Sequence, residues 1–237
     1  MELIKDEGEI SVKSIIVTGA GSGLGKELAL LFSQQGYHVL LTGRSVDKLS
    51  VAKTEIEKIG GKADFVELNI QKENDILTKV EEMRNNYTIF GLVNNAGVGY
   101  FGPFINSTES EITEMLNTNV LGTILMTKAV LPVLQEQGEG LLMNIISTAG
   151  LRGKVNEAVY AASKFAVRGF TESLQKEYEN SSTIKIKAIY MGGMDTPFWS
   201  GSTHVSDTSR FRSPKEVAQL IISQMEQDEI IIESKKS

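Results

Sequence analysis

The chain has 237 residues, 41% of them apolar and 23% charged, and a net charge of −6. This is the composition of a soluble globular protein able to bury one substantial core, and its acidic balance excludes an electrostatic grip on nucleic acid or an anionic membrane surface. There is no cysteine, which excludes disulfides and thiolate chemistry, and the two histidines, His38 and His204, stand too far apart in sequence to suggest a metal site.

Residues 1–11 read as a polar lead-in. The opening MELIKDEGEISVK is charged and lacks the apolar core of a signal peptide, and no run approaches the roughly 18 to 20 apolar residues of a membrane span. A cytoplasmic protein is expected. Lys13 to Thr18 is a short β-branched run and predicts a buried strand. It passes straight into Gly19-Ala20-Gly21-Ser22-Gly23-Leu24-Gly25, then into a helical pattern from Leu24 to Gln35 closed by Gly36. His38 to Thr42 is the second strand, completing a βαβ unit.

The alternation continues with a helix over Val46 to Ile59, a strand over Asp64 to Leu68, a helix over Glu73 to Asn85 and a strand over Ile89 to Asn94. Glu109 to Gln137 predicts one long helix with a kink or break at Pro132. Leu141 to Ser147 is the fifth strand, Ala158 to Glu179 a long helix, and Ile184 to Tyr190 the sixth strand. Pro214 to Gln227 is a helix with Ser213 as N-cap and proline at N1, and Ile230 to Glu233 is the final strand. Strands alternating with helices imply an α/β fold, a doubly wound parallel sheet of Rossmann type. With no repeat, low-complexity stretch or linker, residues 1–237 are expected to form one domain.

A glycine-rich turn at a helix start lets backbone N–H groups approach a pyrophosphate, and its place between strand and helix makes it a dinucleotide site. The second strand ends Thr42-Gly43-Arg44. No carboxylate is there to repel a 2′-phosphate, and the Arg44 guanidinium could pair with one, with a further contact from Ser45. NADP(H) is therefore expected in preference to NAD(H). Tyr160 and Lys164 are four apart, on one face of a predicted helix. A free tyrosine has a pKa of about 10, and an adjacent ammonium favours the phenolate, so the pair is a proton-transfer device. Ser147, thirteen residues before Tyr160, is placed to donate a hydrogen bond to a carbonyl oxygen. The turn, Arg44, Asn94 to Gly97, Ser147 and Met191 to Thr196 all follow strand ends and should face one crevice.

These motifs together resemble the short-chain dehydrogenase/reductase family over residues 13 to 220. Thr18 to Gly25 matches its TGxxxGxG turn, Asn94-Asn95-Ala96-Gly97 its NNAG element, Asn119 its active-site asparagine, and Ser147 with Tyr160 and Lys164 its Ser and Tyr-x-x-x-Lys set. The resemblance implies that Tyr160 is the general acid or base, that Lys164 lowers its pKa and holds the nicotinamide ribose, and that Ser147 holds the substrate carbonyl. Asn119 would anchor a water linking Lys164 to solvent. It implies a cofactor site made of Gly19, Ser22, Gly23, Leu24 and Gly25, with Asn69 and Ile70 near the adenine. Asn95, Ala96 and Gly97 follow, and Gly192, Met194 and Thr196 lie toward the carboxamide. Met191 replaces the usual proline, for which a looser backbone is expected. Asn69 replaces a common aspartate, keeping the acceptor without the charge. The chain runs only briefly past Glu233, without the Gly-rich tail of many ketoacyl-carrier-protein reductases, which weighs against fatty-acid synthesis.

Residues 193–212 are expected to form a substrate lid, with Phe198, Trp199 and Phe211 as its apolar members. Tyr100, Phe101 and Phe104 are candidate pocket residues, and Arg152 and Lys154 candidate contacts for an acidic substrate. By the same resemblance, the long helices 109–137 and 158–179 would pair subunits in a homodimer or homotetramer. The expected activity is hydride transfer between NADP(H) and a small-molecule carbonyl or secondary alcohol. A catalytically idle dinucleotide-binding sensor is the alternative, although a sensor needs no proton donor. A nucleotide-sugar epimerase would need a larger carboxy-terminal domain.

Overall fold

Apolar runs too short for helices pair into a seven-stranded sheet in the computed structural model, which describes residues 12–199, 204–205 and 207–234. The strands are β1 (Lys13–Thr18), β2 (His38–Gly43), β3 (Lys62–Glu67), β4 (Thr88–Asn94), β5 (Gly140–Ile145), β6 (Ile184–Met191) and β7 (Glu229–Ile232). Their order is β3-β2-β1-β4-β5-β6-β7, and every pairing is parallel. The direction of winding reverses between β1 and β4.

The helices are α1 (Gly23–Gln34), α2 (Val46–Lys58), α3 (Glu73–Asn86), α4 (Glu109–Met115), α5 (Thr123–Gln137), α6 (Ala158–Glu177) and α7 (Pro214–Ser223). Alternate strand residues point to opposite faces. Ile15 and Val17 join Leu28 and Phe32 of α1, Leu49 of α2 and Ile221 of α7 in one core layer. Ile16 and Leu40 join Val80 of α3, Met126 and Val130 of α5 and Leu174 of α6 in the other. The doubly wound sheet expected from the alternation is thus present.

The expected helix over 109–137 is continuous in path but not in type. A π-helical segment, Leu116–Gly122, separates α4 from α5. Pro132 does not break α5, which runs on to Gln137 and ends at left-handed Gly138. The carbonyl deprived of a donor by Pro132 belongs to Lys128, on an exposed face where water can serve it. β5 stops at Ile145, so Ser147 lies beyond the strand and caps a short 3-10 turn, Thr148–Gly150. α7 ends at Ser223, short of Gln227. Met191 does not loosen the backbone. It is the last rung of β6, in register with Ile232, and the next N–H, on Gly192, donates to the Ile232 carbonyl at 2.8 Å. The polar lead-in expected over 1–11, and residues 200–203 and 206 of the expected lid, lie outside the described residues.

Candidate active site

The carboxyl ends of β1, β2, β4, β5 and β6 open into one cleft of about 580 Å³. Of the residues singled out in the sequence, Gly19, Ser22, Gly23, Leu24, Arg44, Asn69, Ile70, Asn95, Ala96 and Gly97 line it. So do Ser147, Tyr160, Lys164, Gly192, Met194 and Thr196. Gly25, Ser45 and Asn119 do not. Gly25 is buried behind the turn, where a Cβ would stand 2.6 Å from the Gly19 carbonyl oxygen and closer still to the Asn95 side chain. Ser45 is the N-cap of α2, without a side-chain capping bond.

The Gly-rich turn is built for close approach. Gly19 has φ +65°, and a Cβ there would stand 2.9 Å from Ala96 Cα. The β1 and β4 loops therefore touch. Asn95 Nδ2 donates to the Thr18 carbonyl at 2.9 Å, and Thr18 Oγ1 accepts from the N–H groups of Asn95 and Ala96, both at 3.0 Å. The N-terminus of α1 opens on this turn with no acidic residue and no side-chain cap, leaving donors for an anion. Beside it, Arg44 is joined by Lys48 from the first turn of α2, whose Cβ packs against Gly21. Both cations stand at one end of the cleft. Glu157, at the other, is the single carboxylate among the described residues that line it. This cradle of close glycines, open helix donors and paired cations fits a phosphorylated dinucleotide.

Asn69 is less free than its sequence position suggests. Its Oδ1 already accepts from the Gln71 N–H at 3.0 Å, and its own N–H donates to the Asp75 carboxylate at 2.8 Å. A carboxylate is thus supplied to this turn from α3 instead of from position 69.

At the foot of the cleft, Ser147 follows β5 and Tyr160 and Lys164 lie one turn apart near the start of α6. Ser147 Oγ accepts from the Ala149 N–H at 3.1 Å, which fixes the hydroxyl's position. Lys164 Nζ donates to the Ile145 carbonyl at 3.1 Å and sits 5.8 Å from the centre of the Tyr160 ring. The expectation that Lys164 lowers the Tyr160 pKa is not met in this state. Burial holds the phenol well above its ordinary range, hydrogen bonding with Ser147 pulls the other way, and the Glu157 charge adds to the rise. Burial also pushes Lys164 down, to about 8.

Asn119 sits in the π-helical segment. Its Oδ1 accepts from the Val98 N–H at 2.8 Å, and its Nδ2 donates to the Val98 carbonyl at 2.9 Å and to Ser163 Oγ at 3.0 Å. The side chain thus pins the loop after β4 to α6, and it stands beside cleft-lining Gly97, where a Cβ would lie 3.2 Å from Asn119 Oδ1 and 3.7 Å from Lys164 Nζ. Arg152 is also elsewhere, forking onto Glu233 at 2.9 and 3.0 Å, while Lys154 lines the cleft and donates to Thr148 Oγ1 at 3.1 Å. Tyr100, Phe198 and Trp199 line the cleft, and Phe101 packs beside Tyr160. Phe104 is 64% exposed and takes no part. The ends of the expected lid are held together by the Asp195 N–H donating to the Arg212 carbonyl at 3.1 Å. Phe211 packs on Trp199, ring centres 6.0 Å apart.

Lys48 and Glu157 were missed by sequence reading. The signal for Lys48 was its place four residues after Arg44, in the first turn of a helix leaving the same strand. That for Glu157 was its spacing of three before Tyr160. Among the described residues, no cluster of His, Asp or Glu could hold a metal, and no helix is long and apolar enough to cross a membrane.

A family model described as short chain dehydrogenase matches residues 13–206. The chain is 33% identical over 219 residues to a 3-oxoacyl-acyl-carrier-protein reductase of Thermotoga maritima, across 89% of each chain. It is 31% identical over 220 residues to carbonyl reductase family member 4 of Xenopus laevis, covering 90% of this chain and 91% of that one. The fold matches an actinorhodin polyketide ketoreductase solved with NADPH at a TM-score of 0.84 and 28% identity, over 93% of this chain and 95% of that one. It matches an alcohol dehydrogenase of Thermococcus sibiricus complexed with 5-hydroxy-NADP at 0.82 and 26%, over 95% and 96%. A likeness that begins at the first residue of β1 and runs through every cleft-forming loop places this chain in the short-chain dehydrogenase/reductase family of oxidoreductases.

Proposed function

We propose that this oxidoreductase, acting on CH–OH groups with a nicotinamide dinucleotide, prefers NADP(H) and interconverts a small carbonyl compound and its secondary alcohol. The preference is supported by Arg44 and Lys48, paired at the end of the cleft where a 2′-phosphate would lie, with no carboxylate lining that end. The T. sibiricus dehydrogenase and the polyketide ketoreductase carry NADP-type cofactors in their structures. The turn from Gly19 to Gly25 would hold the pyrophosphate, with Ser45 in reach of the 2′-phosphate. Asn69 and Ile70 would flank the adenine and Asn95 to Gly97 the riboses. Gly192, Met194 and Thr196 would face the carboxamide. The nicotinamide, when bound, supplies or accepts the hydride.

The carrying observation is the placement of Tyr160 between Ser147 and Lys164 at the foot of this cleft. A phenol held above its ordinary pKa keeps its proton at neutral pH, so in reduction Tyr160 Oη donates that proton to the carbonyl oxygen. The Ser147 hydroxyl, positioned by the Ala149 N–H, donates a hydrogen bond to the same oxygen as negative charge develops on it. Lys164, charged below about pH 8, stabilises the phenolate that remains. In oxidation the roles run backwards. Asn119 acts by holding the loop after β4 against α6. The exposed Leu116, Leu121 and Phe165, on the two long helical stretches, would be covered in a homo-oligomer.

Titration of nicotinamide fluorescence with NADPH and NADH separately tests the cofactor reading. NADPH should bind about ten-fold or more tightly. Equal or tighter binding of NADH would overturn it.

A further inference from the structure

The space beside Tyr160 is filled by a ring belonging to the chain itself. The Phe101 ring centre lies 5.3 Å from Tyr160, 5.8 Å from Phe198, 5.0 Å from Trp199 and 5.1 Å from His204. Against His204 it is stacked at 15°, and against Tyr160 it is edge-on at 66°. These are favourable aromatic geometries. They outline a slot for one flat ring, and three of its walls, Tyr160, Phe198 and Trp199, also line the cleft.

Two of the walls are tied by hydrogen bonds, while the occupant sits on a loop. The Trp199 indole N–H donates to the Met194 carbonyl at 2.9 Å. His204 Nε2 is paired with the buried Glu157 carboxylate at 3.1 Å, which sets the plane of the imidazole. Phe101 is only half-buried and rides on a loop without regular structure, with Gly99 before it and Gly102 after it. Its ring lies directly over Gly99, where a Cβ would stand 2.5 Å from Phe101 Cζ. Gly102, at φ +148°, anchors the far end by donating its N–H to the Asn156 carbonyl at 2.9 Å. A rotation of this short glycine-flanked stretch removes the ring and leaves the walls standing.

We infer that Phe101 holds the place of the substrate's own ring, and that the substrate is an aryl carbonyl compound or its benzylic-type alcohol, whose flat ring displaces Phe101. The inference rests on the carbonyl–alcohol reading above and narrows it. A ring in this slot lies edge-on to the Tyr160 ring at 5.3 Å between centres, and a carbonyl bonded to it would have the phenol within reach. A puckered ring of the same size cannot stack on His204 in the same way.

Two alcohols with the same carbon count, 1-phenylethanol and 1-cyclohexylethanol, separate flat from puckered. Trp199 is the only tryptophan and a wall of the slot, so its emission reports occupancy without turnover. Titration of the whole protein should show saturable binding of 1-phenylethanol about ten-fold or more tighter than of 1-cyclohexylethanol. Phe101→Ala and the bulkier Phe101→Leu, which retains apolar packing, should both bind 1-phenylethanol several-fold more tightly, because the competing ring is gone. Equal binding of the two alcohols overturns the inference. So does weaker binding of 1-phenylethanol in both variants, which would make Phe101 a wall. Oxidation of each alcohol with NADP then keeps the two readings apart. Turnover of both at equal kcat/KM sinks the slot and leaves the oxidoreductase reading intact. Selective binding of 1-phenylethanol without oxidation leaves the slot and sinks the carbonyl–alcohol reading.

Discussion

On the proposed mechanism, the proton that moves sits on Tyr160, a phenol that the fold keeps out of water. Tyr160→Phe removes it without changing volume, so turnover should fall about 10²- to 10⁴-fold while cofactor binding is retained. Steady-state kinetics beside a cofactor titration checks both halves. On the same proposal, Lys164 carries the pH dependence. Its pKa is lowered to about 8, so the ammonium is present below that pH and lost above it. The kcat/KM for the cofactor in the reductive direction, which reports groups of the free enzyme, should decline as pH rises through about 8. At the other end of the cleft, Arg44→Asp should weaken NADPH about ten-fold or more and leave NADH nearly unchanged, because only the former carries the 2′-phosphate. Arg44 was legible in the sequence because it follows a strand end directly. Lys48 and Glu157 were not, since helix phase and loop path decide which surface charges turn into a cleft. Nor could sequence show that burial outweighs the Ser147 hydrogen bond at Tyr160, because desolvation depends on everything packed around the ring.

Most elements were readable from hydrophobic alternation, glycine stops and the Ser213-Pro214 start of α7. The π-helical segment Leu116–Gly122 was not, because its residues fit an α pattern equally well and only packing selects the extra residue in the turn. Its consequence is the orientation of Asn119, whose side chain satisfies both the N–H and the carbonyl of Val98. Asn119→Ala strips partners from both groups and should destabilise the fold by about 1–3 kcal/mol, read as a lower urea midpoint. The loop after β4 should also become more susceptible to proteolysis. Ser147 shows the same limit of sequence at a strand end. Apolar patterning carried β5 two residues too far, because Ile146 is buried beyond the ladder.

At the scale of the molecule, the amino ends of the strands hold a second charged cluster, far along the strands from the cleft. Asp64 accepts from Lys53 at 2.8 Å and from Tyr87 at 3.0 Å, with His38 Nε2 also at 3.0 Å. Burial pulls the Asp64 carboxyl upward, but these hydrogen bonds and the Lys53 and His38 charges outweigh it and hold the pKa below its ordinary value. A depressed carboxylate stabilises the fold above its unfolded pKa of about 4, and that contribution is lost as pH falls through the folded value. Asp64→Asn should therefore lower the urea midpoint at pH 7, by a margin that shrinks as pH falls below about 4. Assembly is tested at the same scale. If the long helices join subunits, Leu121→Glu with Phe165→Glu should reduce the mass measured by light scattering.

The neighbour relations of β1 have a consequence in time. Thr18 bonds to Val93, 75 residues further along. A chain emerging from the ribosome must therefore carry its first strand with one side uncovered until the fourth has been made. Each wall of the cleft comes from a different stretch of chain, and the last rung of β6 waits for Ile232. The complete cleft exists only once β6 and β7 have been made, so the full site for the nucleotide forms late. Added cofactor should leave the refolding rate unchanged and slow only unfolding.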